Sequence, residues 1–489
     1  MALTEKDLLA KVPTGLYING KWVSGHGEKQ ITVEDPATGK PLLEIANATA
    51  EDALAALTAA DEAQAKWART PSRERAEILR RTFDLVRDRA EEFAMLISLE
   101  MGKPLAEARG EVTYGNEFLR WFSEEAVRIT GRYNSNPEGT GKILIAKRPV
   151  GPAFAITPWN FPLAMATRKI GPALAAGCTI VVKPAELTPL TTLMLVKTFE
   201  EAGVPAGVIN VITTSTSSAT SGPLIADHRL RKITFTGSTF VGRKLIQQAS
   251  ERVLRTSMEL GGNAPFLVFE DADVDAAVSG AMLAKMRNIG QACTAANRFI
   301  VHDSIAEEFG TKFAAKMGEL NLGRGIADGT TCGPVINQAA QDNMERLVAA
   351  TVSEGGDVLV GGESLSGDGY FFKPTVLDNV SADSTIWKEE IFGPIAPIVR
   401  FKSEEEAVRL ANDTEYGLVS YAYTSDAKRQ LRLIESLDTG MTGINSGLVS
   451  NAAAPFGGTK ASGMGREGGL EGIDEYLEVK YAFIPDPFA

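Results

Sequence analysis

The chain has 489 residues, of which 44% are hydrophobic and 23% charged, and its formal net charge is −12. It is too long for one hydrophobic core, so two or three domains are expected. The composition is typical of a globular enzyme, without a basic patch dense enough for nucleic acid or an anionic membrane. The longest apolar runs are well short of a membrane span.

The three cysteines, Cys178, Cys293 and Cys332, are widely spaced. This sparse, odd set is not typical of a disulfide framework, and no metal-ligand spacing is present. The N-terminal residues contain no basic segment followed by an apolar one, so no signal peptide is predicted. These features favour a reducing cytoplasm and predict no bound metal.

The first 130 residues combine short strands with long helices. Residues 16–23 are typical of a short strand with an Asn-Gly turn. From Thr49 the apolar period becomes helical, and Thr49 with Asp52 forms an N-terminal capping pattern. A second helix opens near Pro71 and carries an apolar stripe as far as Ile97, and a third is predicted over residues 105–129.

Residues 131–147 are polar and rich in Gly and Asn before a short apolar run, which suits either a projecting hairpin arm or an ordinary surface hairpin. From Pro152 onward, strand and helix alternate. This rhythm predicts a parallel sheet covered on both faces, with ligands at the carboxyl ends of its strands. The strand-like runs are 153–156, 179–183, 208–212 and 232–235, and the helical runs are 163–175, 190–202 and 219–226.

A second α/β domain is predicted from residue 255 onward. Residues 445–469 are Gly-rich and are interpreted as a functional loop. The tail at 473–485 is apolar and extended, which favours pairing with a partner edge and hence an oligomer. Strands are predicted near 255–259, 265–269, 299–301, 375–377, 396–401, 419–423 and 440–444, and helices near 274–286, 305–317, 338–352, 404–411 and 427–437.

Three short stretches carry the chemistry. Cys293 follows a Gly-Gln break after a predicted helix, and a thiolate is a strong nucleophile, although a lone Cys is more often a small buried hydrophobe. The other two are M-E-L-G-G-N at 258–263 and T-P-W-N-F-P at 157–162. Together they resemble the NAD(P)-dependent aldehyde dehydrogenase superfamily, and the resemblance extends over nearly the whole chain.

The resemblance implies an α/β, aldehyde dehydrogenase-like fold. Its Rossmann-type NAD-binding domain would comprise residues 1–130 and 148–254, and its α/β catalytic domain residues 255–445. Residues 131–147 and 470–489 would form a small β oligomerisation arm and tail. A homodimer or homotetramer is therefore expected.

The resemblance also implies a covalent mechanism. Cys293 would attack the aldehyde, the resulting thiohemiacetal would give hydride to the nicotinamide, and water would hydrolyse the thioester. Asn160 and the Cys293 backbone N–H would stabilise the oxyanion, and Glu259 would be the base. From the residues alone, Asn160 is more simply a helix cap and Glu259 a strand-end carboxylate. Ala295 follows the nucleophile where some relatives have a second cysteine, so no local disulfide switch is expected.

NAD is the expected cofactor. No G-x-G-x-x-G occurs, and Gly237 with Ser238 alone would indicate only a helix cap, but the family uses this F-T-G-S-x-x-x-G stretch as its cofactor loop. The carboxylate of Glu186 would accept ribose hydroxyls and repel a 2′-phosphate, so NADP is less favoured. The cofactor-binding residues implied by the resemblance are Thr157, Pro158, Trp159, Lys183, Glu186, Gly237, Ser238, Val241, Leu260, Glu390 and Phe392.

Within the superfamily, the chain looks most like the branch that oxidises succinate semialdehyde, an activity of GABA degradation. In that branch, Arg168, Arg287 and Ser450 would hold the distal carboxylate, and two buried arginines without partners would imply an anionic ligand. Arg287 is out of helical phase with Cys293, so Gly290 must break the helix. The alternative for the two arginines is that both form ordinary salt bridges. The alternative substrates are glutarate semialdehyde or a broader range of aldehydes. The alternative functions are a thiol hydrolase that uses Cys293 without redox chemistry and a catalytically silent scaffold protein.

Overall fold

Short apolar strands and amphipathic helices alternate along the chain, and a computed structural model shows how they assemble over residues 4–488. Residues 1–3 and 489 lie outside the described residues. They belong to the ends of the predicted domain ranges, and residues 1–3 also belong to the N-terminal segment searched for a signal peptide. The predicted α/β class is confirmed. Within residues 4–488, no helix is both long and apolar enough to cross a membrane.

The helices, in chain order, are α1 (Glu5–Leu9), α2 (Ala50–Arg69), α3 (Ser72–Asp88), α4 (Ala90–Met101), α5 (Leu105–Glu125), α6 (Pro162–Ala176), α7 (Leu190–Glu201), α8 (Ser217–Ala226), α9 (Thr239–Ser250), α10 (Val274–Met286), α11 (Ala306–Gly318), α12 (Gln338–Ser353), α13 (Thr385–Lys388), α14 (Glu404–Asn412), α15 (Ala427–Ser436) and α16 (Glu471–Asp474).

The strands are β1 (Leu16–Ile18), β2 (Lys21–Val23), β3 (Ile31–Asp35), β4 (Lys40–Ile45), β5 (Arg132–Ser135), β6 (Gly141–Pro149), β7 (Ala153–Ile156), β8 (Ile180–Lys183), β9 (Ile209–Val211), β10 (Lys232–Thr236), β11 (Arg255–Glu259), β12 (Ala264–Val268), β13 (Ala296–His302), β14 (Asp357–Val360), β15 (Thr375–Asp378), β16 (Ile395–Phe401), β17 (Tyr416–Gly417), β18 (Val419–Tyr423), β19 (Met441–Ile444), β20 (Thr459–Lys460), β21 (Gly463–Met464) and β22 (Leu477–Pro485).

The first large sheet has the strand order β2-β1-β9-β8-β7-β10-β11-β21. Its central strands β9, β8, β7, β10 and β11 are parallel, and β1 and β21 pair antiparallel at either side of them. Parallel strands covered on both faces are mostly apolar, as in β8, where every residue is buried and only the last, Lys183, is polar. The sheet's carboxyl edge therefore carries the polar residues that follow each strand.

The second large sheet has the order β14-β15-β16-β13-β12-β18-β19 and is parallel except for β14. The prediction that grouped residues 255–259 with these strands is wrong, because β11 pairs in parallel with β10 of the first sheet. The other predicted strands from residue 265 onward do belong to the second sheet. The predicted domain boundaries remain a prediction.

A separate three-stranded sheet has the order β22-β6-β5. The tail strand β22 pairs antiparallel with β6 along its whole length, from Leu477 opposite Pro149 to Pro485 opposite Gly141. The sheet leaves large apolar side chains exposed, among them Tyr133 and Val479. Residues 131–147 therefore do form a hairpin, as their composition suggested.

The predicted helices differ from the structure mainly at one place. The apolar stripe that extends to Ile97 was assigned to a single helix, but α3 and α4 are separate, with Arg89 between them at φ −109° and ψ 21°. Both helices bury apolar faces, so the apolar stripe passes through the break without interruption. The period of the stripe therefore gives no sign of the break.

Candidate active site

One cavity of about 620 Å³ lies at the carboxyl edge of the first sheet. With the single exception of Glu259, every residue that the sequence assigned to catalysis, cofactor or substrate lines this cavity. Glu259 ends β11, and its neighbours Leu260 and Gly261 are on the cavity wall. Residues that are hundreds of positions apart in the chain thus face one enclosed volume.

The Cys293 loop begins where α10 ends, at Met286. Asn288, Ile289 and Gly290 all have left-handed backbone, with φ of 56°, 60° and 73°. A β-branched residue in this region is a genuine outlier and stores strain. The helix break predicted at Gly290 is therefore confirmed, although it starts three residues earlier, at Arg287.

The strained loop is held by side chains from other elements. The Asn288 backbone N–H donates to Oε2 of Glu107 on α5 at 2.5 Å. The Asn288 side-chain amide donates to the carbonyl oxygens of Gln291 at 2.8 Å and of Asn160 at 3.1 Å. The break is thus fixed by contacts to α5 and to the turn before α6.

Cys293 is partly accessible from the cavity. Burial raises the pKa of its thiol to about 12, Arg168 acts to lower it, and Glu259 acts to raise it further. The resting thiol is therefore protonated at neutral pH. A nucleophile in this state needs a base that removes its proton.

The Gly-Gly pair after Glu259 allows this close packing. A Cβ on Gly262 would lie 2.3 Å from the carbonyl oxygen of Cys293, and a Cβ on Gly261 would lie 2.6 Å from Oε2 of Glu390. Both distances are shorter than real Cβ contacts. The contact at Gly262 is with backbone, so only glycine fits there, whereas at Gly261 the Glu390 carboxylate would have to move. The L-G-G sequence is thereby tied to the position of the nucleophile.

Asn160 lies in the turn between β7 and α6. Its Nδ2 donates to the carbonyl oxygen of Gln291 at 3.0 Å, which leaves one amide hydrogen, and its Oδ1 is buried without a partner. The cap interpretation of Asn160 is not supported, because the first N–H groups of α6 donate to Oε1 of Glu111, from Leu163 at 2.9 Å. The Asn160 side chain is thus free to face the cavity beside Cys293.

Glu259 is buried, and neither carboxylate oxygen has a hydrogen-bond partner among the described residues. Burial, followed by the nearby charge of Glu467, raises its pKa well above the usual value, against the opposing effect of Arg168 and Lys169. A carboxylate with a pKa moved toward neutrality suits a general base. Glu259 also acts electrostatically on the Cys293 thiol.

Arg168 differs from the sequence-based expectation of an arginine without a partner. Its Nε donates to Oε2 of Glu467 at 2.8 Å, and its Nη2 lies 2.6 Å from the same oxygen but is not aligned as a hydrogen bond. Its guanidinium also lies 4.0 Å from the ring centroid of Phe456. Glu467 also pairs with Lys169, so this one carboxylate is shared by two cations. Arg168 therefore faces the cavity with a carboxylate partner that compensates its charge only in part.

Arg287 meets the expectation of an arginine without a carboxylate partner. Its Nη1 donates to the hydroxyl of Ser450 at 3.3 Å, and its guanidinium lies over the rings of Phe161, at 5.1 Å, and Tyr114, at 5.4 Å. Within residues 4–488, no carboxylate lies within 4.0 Å of it. The Glu107 carboxylate interacts with Arg287 electrostatically, but at this end of the cavity the guanidinium has no direct ion pair with the described residues.

The opposite end of the cavity has the residues expected to bind the cofactor. Lys183 donates only to the carbonyl oxygen of Pro184, at 3.3 Å, while Glu186 is exposed beside it. Ser238 caps α9 by accepting from the Val241 N–H at 3.4 Å, so the capping interpretation holds for its side chain.

The wall between the two ends is formed in part by Glu390, Phe392 and Trp159. Glu390 accepts from the Gly262 N–H at 2.9 Å, and burial raises its pKa to about 7. The rings of Trp159 and Phe392 meet edge to face at 5.4 Å. Carboxylate acceptors, a lysine with free donors and apolar walls fit a nucleotide's hydroxyls and rings.

Several residues around the site were missed by the sequence reading. Glu467 lies within the Gly-rich loop at 445–469, but nothing in that loop singled it out. Glu107 and Tyr114 lie on α5, which the sequence predicted only as a helix. Lys103 and Glu111 form a buried ion pair at 2.5 Å, and Lys103 also donates to the Asn160 carbonyl at 2.9 Å. No local sequence signal marks this pair, because Lys103 is a single charge between α4 and α5 and Glu111 is one of several charged residues on α5.

Comparison with known proteins identifies the class. The model of the aldehyde dehydrogenase family matches residues 22–482, so the chain belongs to this family and is an oxidoreductase. Enzymes of this family use NAD or NADP. The aldehyde dehydrogenase-like fold expected from the sequence is confirmed.

Particular relatives are similar over nearly their full length. Succinate-semialdehyde dehydrogenase of Paenarthrobacter nicotinovorans is 60% identical over 447 residues, which are 91% of this chain and 99% of the relative. The NADP-dependent succinate-semialdehyde dehydrogenase GabD of Escherichia coli is 46% identical, covering 96% and 97%. A crystal structure of succinate-semialdehyde dehydrogenase from Burkholderia pseudomallei superposes with a TM-score of 0.96 at 46% identity, covering 99% of this chain and 100% of that one.

Proposed function

We propose that the protein oxidises succinate semialdehyde to succinate with NAD, through covalent intermediates on Cys293. The observation that carries the proposal is Arg287, a guanidinium without a carboxylate partner, held by Ser450 in the same cavity as the thiol. A guanidinium fork binds carboxylate in a bidentate manner, and a partly buried one without an anion is costly. A substrate with a carboxylate at one end and an aldehyde at the other meets both groups.

Glu259 begins the reaction by taking the proton of the Cys293 thiol. Its raised pKa makes it a base effective near neutral pH. The thiolate then forms a bond to the aldehyde carbon, and the carbonyl electron pair moves onto the oxygen. The remaining amide hydrogen of Asn160 and the Cys293 N–H donate to this oxyanion, an interaction worth about 2.7–4 kcal/mol per donor in other enzymes.

Lys183, Glu186 and Glu390 would hold a nicotinamide cofactor, which would supply the oxidant that takes up the hydride from the thiohemiacetal carbon. The substrate then remains as a thioester on Cys293. Glu259 first releases the thiol's proton to solvent and then removes a proton from the attacking water. The C–S bond breaks, the sulfur takes this proton from Glu259, and succinate leaves with the thiol regenerated. The net change is aldehyde, NAD and water to carboxylic acid, NADH and a proton.

The preference for NAD rests on Glu186. Its carboxylate lies at the edge of the cavity near Lys183, where an adenosine ribose would be held. A carboxylate accepts hydrogen bonds from the two ribose hydroxyls, whereas it repels a 2′-phosphate. The lysine side chain of Lys244 also lines this end, so the repulsion is opposed by one cation.

The location and oligomeric state that we propose are a cytoplasmic homodimer or homotetramer. All three cysteines are free thiols, which suits a reducing compartment. The β22-β6-β5 sheet exposes Tyr133, Tyr481 and Phe483, and such an apolar surface is typical of a subunit contact. The resemblance that suggests the substrate also suggests a role in GABA degradation.

The test compares NADH formation from succinate semialdehyde with that from butanal, which has the same carbon count but no carboxylate. Glutarate semialdehyde, one methylene longer, is the third substrate, and each is assayed with NAD and with NADP. A strong preference for succinate semialdehyde and NAD supports the proposal. Equal rates with butanal would contradict the carboxylate site, and hydrolytic activity without NAD would indicate a thiol hydrolase.

A further inference from the structure

The Tyr114 side chain lies on α5 and lines the cavity together with Arg287 and Ser450. Its hydroxyl oxygen is buried, and it has no hydrogen-bond partner among the residues that the structure describes. A buried hydroxyl is normally satisfied, because leaving it unpaired costs free energy. An acceptor atom of a ligand in the cavity would satisfy it.

The charges around the hydroxyl determine which ligand fits. The Arg287 guanidinium lies 5.4 Å from the centroid of the Tyr114 ring. Tyr114 is also one of the groups that raise the pKa of Arg168, after Glu467 and against the effect of burial. Guanidinium groups only donate hydrogen bonds, so neither arginine can accept from the phenol O–H. The missing partner is therefore an acceptor, and the surrounding charge favours an anion.

The position of Tyr114 places this acceptor at the far end of the cavity. Tyr114 and Ser450 line a second, outer groove of about 440 Å³ as well, together with Arg120 and Trp121. The two hydroxyl residues thus form the wall between the inner cavity and the outer groove. A ligand that reaches this wall from Cys293 meets both hydroxyls with its distal group.

We propose that the Tyr114 hydroxyl donates to the substrate's distal carboxylate and is a specificity-determining residue beside Arg287 and Ser450. This inference rests on the proposed function, because it assigns a third donor to the same anion site. The carboxylate has two oxygens and about four acceptor positions, enough for a guanidinium fork and two hydroxyls. Tyr114 thus distinguishes a semialdehyde from an uncharged aldehyde without taking part in the chemistry at Cys293.

The test is Tyr114→Phe, which removes one oxygen and keeps the ring. The ring packs edge to face on Phe118 at 5.1 Å and lies under Arg287, and both contacts persist in the variant. Tyr17→Phe is the matched control, since it removes a buried tyrosine's hydroxyl on β1, away from the cavity. Steady-state rates with succinate semialdehyde and butanal are measured for the wild type and both variants, with succinate as a product inhibitor.

Tyr114→Phe is expected to lower kcat/KM for succinate semialdehyde by about tenfold or more, mainly through KM, since a hydrogen bond to a charged group is lost. The inhibition constant for succinate should weaken by a similar factor. The rate with butanal should match the wild type. The melting temperature should not fall, because the hydroxyl has no partner to lose among the described residues. Tyr17→Phe should change neither substrate's kinetics.

Two outcomes would overturn the inference. Either Tyr114→Phe keeps the wild-type preference, or it lowers the rates with both aldehydes equally, as a structural role would. If the wild type itself shows no preference for succinate semialdehyde over butanal, the proposed function is contradicted. That result concerns the wild type, so it can be told apart from the two outcomes for Tyr114→Phe. Should thermal unfolding show that Tyr114→Phe folds poorly, Tyr114→Met removes the hydroxyl with an adaptable apolar side chain. Because it also removes the ring beside Arg287, a loss greater with succinate semialdehyde than with butanal supports the inference, and equal losses overturn it.

Discussion

Nη1 of Arg287 donates a hydrogen bond to the hydroxyl of Ser450 at 3.3 Å, although the two residues are 163 positions apart. The contact depends on the end of α10 at Met286, since a continued helix would turn Arg287 away from Cys293. The left-handed residues Asn288 to Gly290 then carry the chain back to the thiol. One strained turn thus places the substrate anchor and the nucleophile in the same cavity.

Replacing Arg287 by alanine should reduce kcat/KM for succinate semialdehyde by about 10- to 150-fold, the equivalent of about 1.5–3 kcal/mol for a charged hydrogen bond. The rate with butanal should stay near that of the wild type, because the thiol and its base are unchanged. Arg287→Lys should recover only part of the loss, since an ammonium lacks the planar fork. Steady-state kinetics with both aldehydes provide the measurement, and an equal loss with butanal would contradict the assignment.

The Glu107 carboxylate should also affect the preference for succinate semialdehyde over butanal, although it contacts the backbone of the Cys293 loop and does not line the cavity. It accepts from the Asn288 N–H at 2.5 Å and so fixes the turn that follows Arg287. Glu107→Ala should raise KM for succinate semialdehyde several-fold, whereas Glu107→Gln, which retains an acceptor oxygen, should be closer to the wild type. Glu91→Ala, an exposed α4 residue paired with Arg109, is the control and should leave KM unchanged.

Replacing Glu186 by serine should allow NADP to be used. The exposed carboxylate would no longer repel the 2′-phosphate, and the ammonium of Lys244 would remain nearby. The ratio of kcat/KM for NAD over NADP should fall by about tenfold or more, which corresponds to about 1.4 kcal/mol. An unchanged ratio would mean that another residue selects the cofactor.

Much of the fold could be predicted because local signals determine it. Thr49 and Asp52 indicated a helix start, and the structure contains the reciprocal capping box at that position. The Asn-Gly turn was equally local, since Asn19 and Gly20 both have positive φ between two paired strands. Strand β11 was misassigned because pairing with β10 is a long-range choice that no short window contains.

The site residues that lie within sequence motifs could be predicted, and those outside motifs could not. Cys293, Asn160 and Glu259 lie within recognisable stretches, but Glu467 does not, and its ion pair with Arg168 corrects the expectation that Arg168 lacks a partner. The unpaired Tyr114 hydroxyl was likewise invisible in the sequence, because an aromatic residue on an amphipathic helix indicates core packing.

The pH dependence of catalysis should report Glu259. Its pKa is raised well above the usual value, and it must be deprotonated to act, so kcat/KM should fall as the pH falls through that raised value. Glu467→Gln removes a negative charge that raises this pKa, so the acidic limb should move to lower pH. Glu471→Gln, an exposed neighbour on α16, is the control. A limb that moves to higher pH, or does not move, would contradict the electrostatic coupling.

Alkylation of the free enzyme should be slow at neutral pH. The Cys293 thiol has a pKa of about 12, so its reactive thiolate fraction is small and rises about tenfold per pH unit. Cys178 and Cys332 are almost fully buried and should not react in the folded protein. Mass spectrometry after iodoacetamide treatment at several pH values should find one modified thiol, absent in Cys293→Ala. Fast labelling at neutral pH would show that the thiol is activated in the free enzyme.

Gly262→Ala should lower the activity by about 100-fold or more with little change in overall fold. Its new methyl group would lie 2.3 Å from the Cys293 carbonyl oxygen, so the nucleophile's loop must move away from Asn160 and Glu259. A displacement of about 1 Å in reacting groups can cost about 100-fold in rate.

Gly110→Ala is the matched control, because a Cβ there meets nothing within 4 Å on the solvent face of α5. That substitution should raise the free energy of unfolding by about 0.5–1 kcal/mol and leave the activity intact. Activity assays and denaturant unfolding of both variants separate the two effects, and an active Gly262→Ala enzyme would show that the Cys293 loop need not approach the Gly-Gly turn.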